Sequence, residues 1–176
     1  MTEDPLVPSR PGRALLSSAQ IHHVLRVEFG RARRHGYPVA CLVIAIDRLE
    51  LLRDRLGYEA KERVVDAVVS LLRRATRSSD SIGRTPDDRL IVVVPHTQGD
   101  GAIILCQRIL DLARAIRIDR ISEPFDVSLS IGAASTRTGV SIFHDALLAA
   151  AEAALAEAIA AGGNRFAERE SVAPAP

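Results

Sequence analysis

Cysteine is scarce in this chain. The two residues, Cys41 and Cys106, lie in apolar or helical surroundings with no C-x-x-C spacing, which argues against a disulfide framework. They read as small buried hydrophobes of a reducing compartment. Basic runs are equally thin. The formal net charge is +1, there is no sustained lysine-rich block, and the densest cluster, Arg31-Ala32-Arg33-Arg34, is the solvated face of a helix. A nucleic-acid or membrane footprint is therefore not expected. No apolar run approaches the roughly 20 residues of a membrane span, and the acidic, proline-containing N-terminus does not read as a signal peptide, so a cytoplasmic protein is expected. His22 and His23 are adjacent and point to different sides of a helix, which disfavours a metal pair; no metal site is expected.

What is present is a core. At 176 residues and 47% hydrophobic, the chain suits one compact domain with short tails. Residues 1–13 carry three prolines and no apolar period and read as a disordered tail; residues 167–176 read as a second one. Between them, the spacing of Ile21, Val24, Leu25, Phe29 and Ala32 predicts a helix over 14–35, ended by Gly36. Val39 to Ile46 is a continuous β-branched run, a strand buried on both faces. A short helix over 48–56 breaks at Gly57, and 60–76 forms another, with Val64, Val68, Leu71, Leu72 and Ala75 inward. A further helix is expected over 99–117. Residues 125–133 alternate as a strand, and Ser141 caps a last helix that Gly162-Gly163 closes. The order α-β-α-α-β-β-α-β-α describes an α+β fold, a mixed, mainly antiparallel sheet flanked by helices.

The stretch from Arg77 to Pro95, RSSDSIGRTPDDRLIVVVP, organises the rest. Pro86 has the fixed φ that a turn wants, and Asp87 and Asp88 tolerate turn geometry, so a hairpin joins a short strand to the buried strand beginning at Leu90.

This hairpin resembles the signature of the GGDEF family, the diguanylate cyclases that join two GTP molecules into cyclic di-GMP. Arg77-Ser78-Ser79-Asp80 fits the family's R-x-x-D, Arg84 its next arginine, and Pro86-Asp87-Asp88-Arg89-Leu90 stands in place of G-G-D/E-E-F. Further matches are Ile46-Asp47 at the first strand's end, Leu56-Gly57-Tyr58, Ser130-Ile131-Gly132, and Gly162-Gly163-Asn164-Arg165, so the resemblance covers about residues 14–166. It implies a nucleotide-cyclase-like palm.

The resemblance also implies that the catalytic letters are altered. The cyclase holds Mg²⁺ with two carboxylates, because that ion demands oxygen ligands in tight octahedral geometry. One of the two positions is Ala45 here, with Asp47 following; the other is Asp88. Pro86 and Asp87 replace glycines that let a nucleotide lie against bare backbone, and Arg89 inverts the charge of the usual glutamate. Guanine-binding positions fall on Arg53 and Glu62, and phosphate-binding ones on Ile159 and Gly163. A degenerate signature of this kind implies no catalytic residues and no enzyme activity.

Many relatives carry a second site that binds the product. By resemblance its residues here are Arg77 and Asp80, with Arg108 and Arg31 at places where further ligand-contacting arginines occur. A guanidinium fork pairs with phosphate and stacks on a base, and a carboxylate accepts guanine N–H groups. R-x-x-D also occurs at Arg63/Asp66, Arg84/Asp87 and Arg108/Asp111, so position rather than the tetrapeptide carries the expectation. The expected function is a cyclic di-GMP receptor with no cofactor, signalling to a protein partner and able to form a ligand-promoted homodimer. The alternatives are a nucleotide-free interaction module on the same scaffold and a weak residual cyclase.

Overall fold

The computed structural model describes residues 14–118, 121–136 and 143–170. Their elements run α1 (Ser18–His35), β1 (Val39–Ile46), α2 (Leu49–Leu56), α3 (Tyr58–Ala75), β2 (Ser81–Arg84), β3 (Leu90–Pro95), α4 (Gly99–Arg114), β4 (Leu129–Ser135), α5 (His144–Ala160) and β5 (Arg165–Glu170). The strands form one sheet in the order β2-β3-β1-β4-β5. All neighbours are antiparallel except β4 and β5.

β1 is central, which explains its unbroken apolar run. Ala40, Leu42, Ile44 and Ile46 face α2, α3 and α4, whereas Val39, Cys41 and Val43 face α1 and α5. With both faces covered, no position along the strand can be polar without a partner. Both cysteines are free and buried, and burial pushes their thiols up to about 12, so they act as packing residues. At Gly132 the backbone of α5 comes so close to β4 that a Cβ would lie 2.0 Å from the Ala151 carbonyl oxygen. Only glycine fits there. Among the described residues no helix is long and apolar enough to cross a membrane.

Four expectations change. α1 starts at Ser18 rather than at residue 14, because Ser17 and Gln20 form a reciprocal capping box. Leu16 is thereby released to bond the backbone of Ile82 and Arg84 beside β2. α4 ends at Arg114, three residues early, where Ala115 and Ile116 turn back on its last carbonyls. Residues 125–128 are outside the strand, which runs Leu129–Ser135; only Ser128 reaches across, accepting the Asp47 N–H. Residues 167–170 are not tail but the end of β5, parallel to β4. The other expected tail residues and the Ser141 cap lie outside the described residues.

Candidate functional site

The two ends of β1 define two separate places. At its C-terminal end lies the hairpin between β2 and β3. The Asp88 N–H donates to the Thr85 carbonyl and the Thr85 N–H to that of Arg89, while Asp88 takes the left-handed conformation at φ 62°. This is a three-residue hairpin loop, with an aspartate where glycine is usual. Asp87 points outward, accepting from the Thr85 hydroxyl and pairing with Arg89 at 3.1 Å.

Asp88 points inward. Its carboxylate accepts from Lys61 Nζ at 2.7 Å and from Arg84 Nε at 2.9 Å. Arg84 in turn grips Glu62 with two bonds of 2.9 and 2.7 Å. Lys61, the chain's one lysine, is 6% exposed and also lies 4.9 Å over the Tyr58 ring. The four charges neutralise one another. Burial raises the Asp88 carboxyl, but the bonds from Lys61 and Arg84 together outweigh it and leave its pKa lowered. The Arg84 fork holds Glu62 below its ordinary value, and the Asp88 bond holds Lys61 above its own.

Asp47 is held elsewhere. It accepts from the hydroxyls of Ser128 at 2.8 Å and Ser130 at 2.6 Å and from the Asn164 N–H at 3.0 Å, tying the end of β1 to the start of β5. Gly163, at φ 73°, passes so close that a Cβ would sit 3.2 Å from this carboxylate. Asp47 and Asp88 thus serve different partners on opposite sides of β1. Among the described residues no group of three His, Cys, Asp or Glu side chains is placed to hold a metal. Arg53 is spent on Glu50 and Asp54 at the surface, apart from Glu62. Ile159 is half exposed on α5.

At the other end of β1, Arg77, Asp80 and Arg108 line one open cleft of about 230 Å³, with Val94, His96 and Ile104. The chain leaves α3 at Thr76 and turns, the Asp80 N–H donating to the Arg77 carbonyl. Asp80 is buried and accepts the Arg77 N–H at 2.7 Å and the Ser79 hydroxyl at 3.4 Å. Burial is the largest influence on it and raises its pKa against those bonds. Arg108 is exposed on α4 and donates to the Ala75 carbonyl at the end of α3. The Arg77 guanidinium is exposed, with no hydrogen bond or ion pair to a described residue.

The structure therefore brings three of the four expected ligand residues together. Arg31 is the exception: it lies on α1, on the opposite face of the sheet, and pairs with Glu28 at 3.6 Å instead of lining the cleft. Two residues had drawn no attention in the sequence. Lys61 had a usable signal, an ammonium on the apolar stripe of Val65, Val68 and Leu72, which demands a buried counter-charge. His96, after the last residue of β3, had none.

Comparison with known proteins agrees with this fold. The family model described as "Diguanylate cyclase, GGDEF domain" matches residues 14–165. The diguanylate cyclase DosC of Escherichia coli K12 is 26% identical over 121 residues, covering 68% of this chain and 26% of DosC. The chain thus spans about a quarter of the length of that relative. Among solved structures, the GGDEF domain of YfiN from Pseudomonas aeruginosa is 26% identical, with a TM-score of 0.79 over 90% of this chain and 97% of that one. The coiled coil and GGDEF domain of DgcB from Caulobacter crescentus, solved in complex with c-di-GMP, shares the fold at a TM-score of 0.80 and 19% identity, over 88% of this chain and 82% of that one.

Proposed function

The chain belongs to the diguanylate cyclase GGDEF domain family, and we propose that within it this domain binds cyclic di-GMP, makes none, and passes the signal to a protein partner. One observation carries the reading. The hairpin carboxylate Asp88, which a cyclase would offer to a metal, already accepts from an ammonium and a guanidinium, whereas the exposed Arg77 guanidinium at the other end of the sheet has only a longer-range attraction to Asp80. Opening the hairpin site to a metal triphosphate means taking from a buried lysine its 2.7 Å partner and leaving it only Glu62, at 3.6 Å, which costs about 3 kcal/mol.

In this reading Arg77 pairs with a ligand phosphate through its planar fork, and Arg108 adds a second cation at the opposite wall. Asp80 is turned to accept guanine N–H groups, its position set by the tight turn from Thr76. Ile104, 66% exposed at the rim, supplies apolar surface that a ligand-bridged partner or a second copy of the chain can cover.

Calorimetry with cyclic di-GMP decides the matter. The unaltered chain is expected to bind, with Arg77→Ala and Asp80→Ala weakened; no binding at tens of micromolar, or equal binding by both variants, removes the reading. At ligand near 100 times Kd, melting should rise by an amount equivalent to about 2.7 kcal/mol. GTP with Mg²⁺ or Mn²⁺ should give no product, and turnover abolished by Asp88→Ala would restore the enzyme. Light scattering with and without ligand reports whether the complex is a homodimer.

A second reading has its own support. Asp80 closes the turn after α3 and Arg108 donates to the Ala75 carbonyl at that helix's end, so both residues have structural work without a ligand. A nucleotide-free interaction module predicts no thermal shift with any guanine nucleotide.

A further inference from the structure

We propose that His96, propped from behind by Tyr37, is a stacking platform for a purine base at the mouth of the Arg77–Asp80–Arg108 cleft. The inference rests on the receptor reading above and adds the residue that recognises the planar part of the ligand.

His96 follows Pro95, the last residue of β3, and takes a left-handed backbone at φ 54°. A non-glycine residue pays for that conformation, so something in the surroundings holds it there. The holding contact is a stack: the His96 and Tyr37 rings lie 3.9 Å apart, inclined by 25°. Tyr37 is itself pinned. Its hydroxyl donates to Glu28 Oε1 at 2.6 Å, and Glu28 pairs with Arg31 on the next turn of α1.

The result is a histidine fixed in place yet exposed, lining the same cleft as two arginines and a buried carboxylate. One face of the imidazole is covered by Tyr37, which leaves the other for a second ring. Aromatic faces bind bases of any sequence because each base presents a π-surface, and neighbouring guanidinium groups take the phosphate. The cleft so equipped suits a guanine nucleotide more than a bare phosphate or a carboxylate. The arrangement also gives Arg31 a part despite its distance from the cleft. Its contact with this chain of groups is the ion pair with Glu28, which holds the Tyr37 hydroxyl.

The test compares His96→Asn with His96→Phe in the intact chain. Asparagine accepts the left-handed backbone but has no ring; phenylalanine keeps a ring without nitrogen atoms. By calorimetry with cyclic di-GMP well below each variant's melting temperature, His96→Asn should bind roughly tenfold more weakly and His96→Phe within about twofold of the unaltered chain. The guanine H8 resonance should shift upfield on binding to the unaltered chain and to His96→Phe, and less with His96→Asn. If His96→Asn binds like the unaltered chain while Arg77→Ala does not, the platform is wrong and the receptor reading stands. Equal losses in both His96 variants also overturn stacking, since a ring nitrogen would then be the contact. If the unaltered chain fails to bind at all, both proposals fall.

Discussion

Around the hairpin, where β2 turns into β3, Lys61, Glu62, Arg84 and Asp88 close on one another through short bonds and leave no charge over. Around the cleft, where β3 ends and α4 begins, Asp80 is held by a backbone N–H and a serine, and Arg77 reaches into solvent. A set of charges that satisfies itself stabilises a shape and offers little to a ligand, because every new bond must first replace an old one. A set left open costs the fold something and keeps its bonds for a partner. Substitutions at the two ends should therefore separate stability from binding.

The largest effect is expected at Asp88. Asp88→Ala takes from the nearly buried Lys61 its 2.7 Å partner and leaves it only Glu62, at 3.6 Å, which should cost about 3 kcal/mol in urea unfolding, with cyclic di-GMP affinity unchanged. Replacing Lys61 and Asp88 together by methionine and leucine should return most of that loss, since it is the unpaired charge that is expensive. Arg77→Ala gives the mirror image. Its stability should stay within about 0.5 kcal/mol, while affinity falls on the order of tenfold to a hundredfold with the loss of charge-assisted bonds. A variant that lost both properties together would break the division.

Acid should sharpen it, because the two ends respond in opposite directions. Glu62 and Asp88 are held below their ordinary values of 4.5 and 3.8, so their contribution is complete above those values and fades as pH falls through the lowered ones. Lys61 is raised above 10.5, so its contribution persists to that pH and is lost only beyond it. Asp80 is raised above 3.8 by burial, and protonating it on the way down relieves the fold. Between about pH 7 and pH 3, Asp88→Asn should thus lose less stability than the unaltered chain and Asp80→Asn more, by differences near 1 kcal/mol. Because the chain has one lysine, its side-chain nitrogen resonance titrates alone and reads the raised Lys61 value directly.

How much of this was legible in the residues depends on whether a local rule or a distant partner decided the outcome. β1 was readable to its end residues, since eight apolar positions in a row have few other solutions. β5 was not: Arg-Phe-Ala-Glu-Arg-Glu has the charges of an exposed loop, and it is a strand because it lies at the sheet edge, where charge protects against further pairing. Arg77, Asp80 and Arg108 line one cleft, the first two brought there by the fixed length of the turn after α3. That Arg31 lies away from this cleft was not legible, because sequence position says nothing about which face of the sheet a helix covers. Ser128 read as a polar member of an alternating strand and Ser130 as part of the Ser130-Ile131-Gly132 match; that they satisfy Asp47 follows from the pairing of β1 with β4.

The smallest effect tests the outer edge of the hairpin. Asp87 and Arg89 form a pair whose side chains are 61% and 42% exposed, only one residue away on either side from the buried carboxylate of Asp88. Water screens such a pair, so Asp87→Ala should change stability by at most about 0.5 kcal/mol, against about 3 for its neighbour. The loop itself should survive, because Asp88 supplies the left-handed residue and Thr85 the closing bonds. A loss from Asp87→Ala as large as that from Asp88→Ala would mean that the turn, rather than the inward ion pairs, holds this end together. In that case Lys61→Ala should be nearly silent, and urea unfolding of that single variant separates the two explanations.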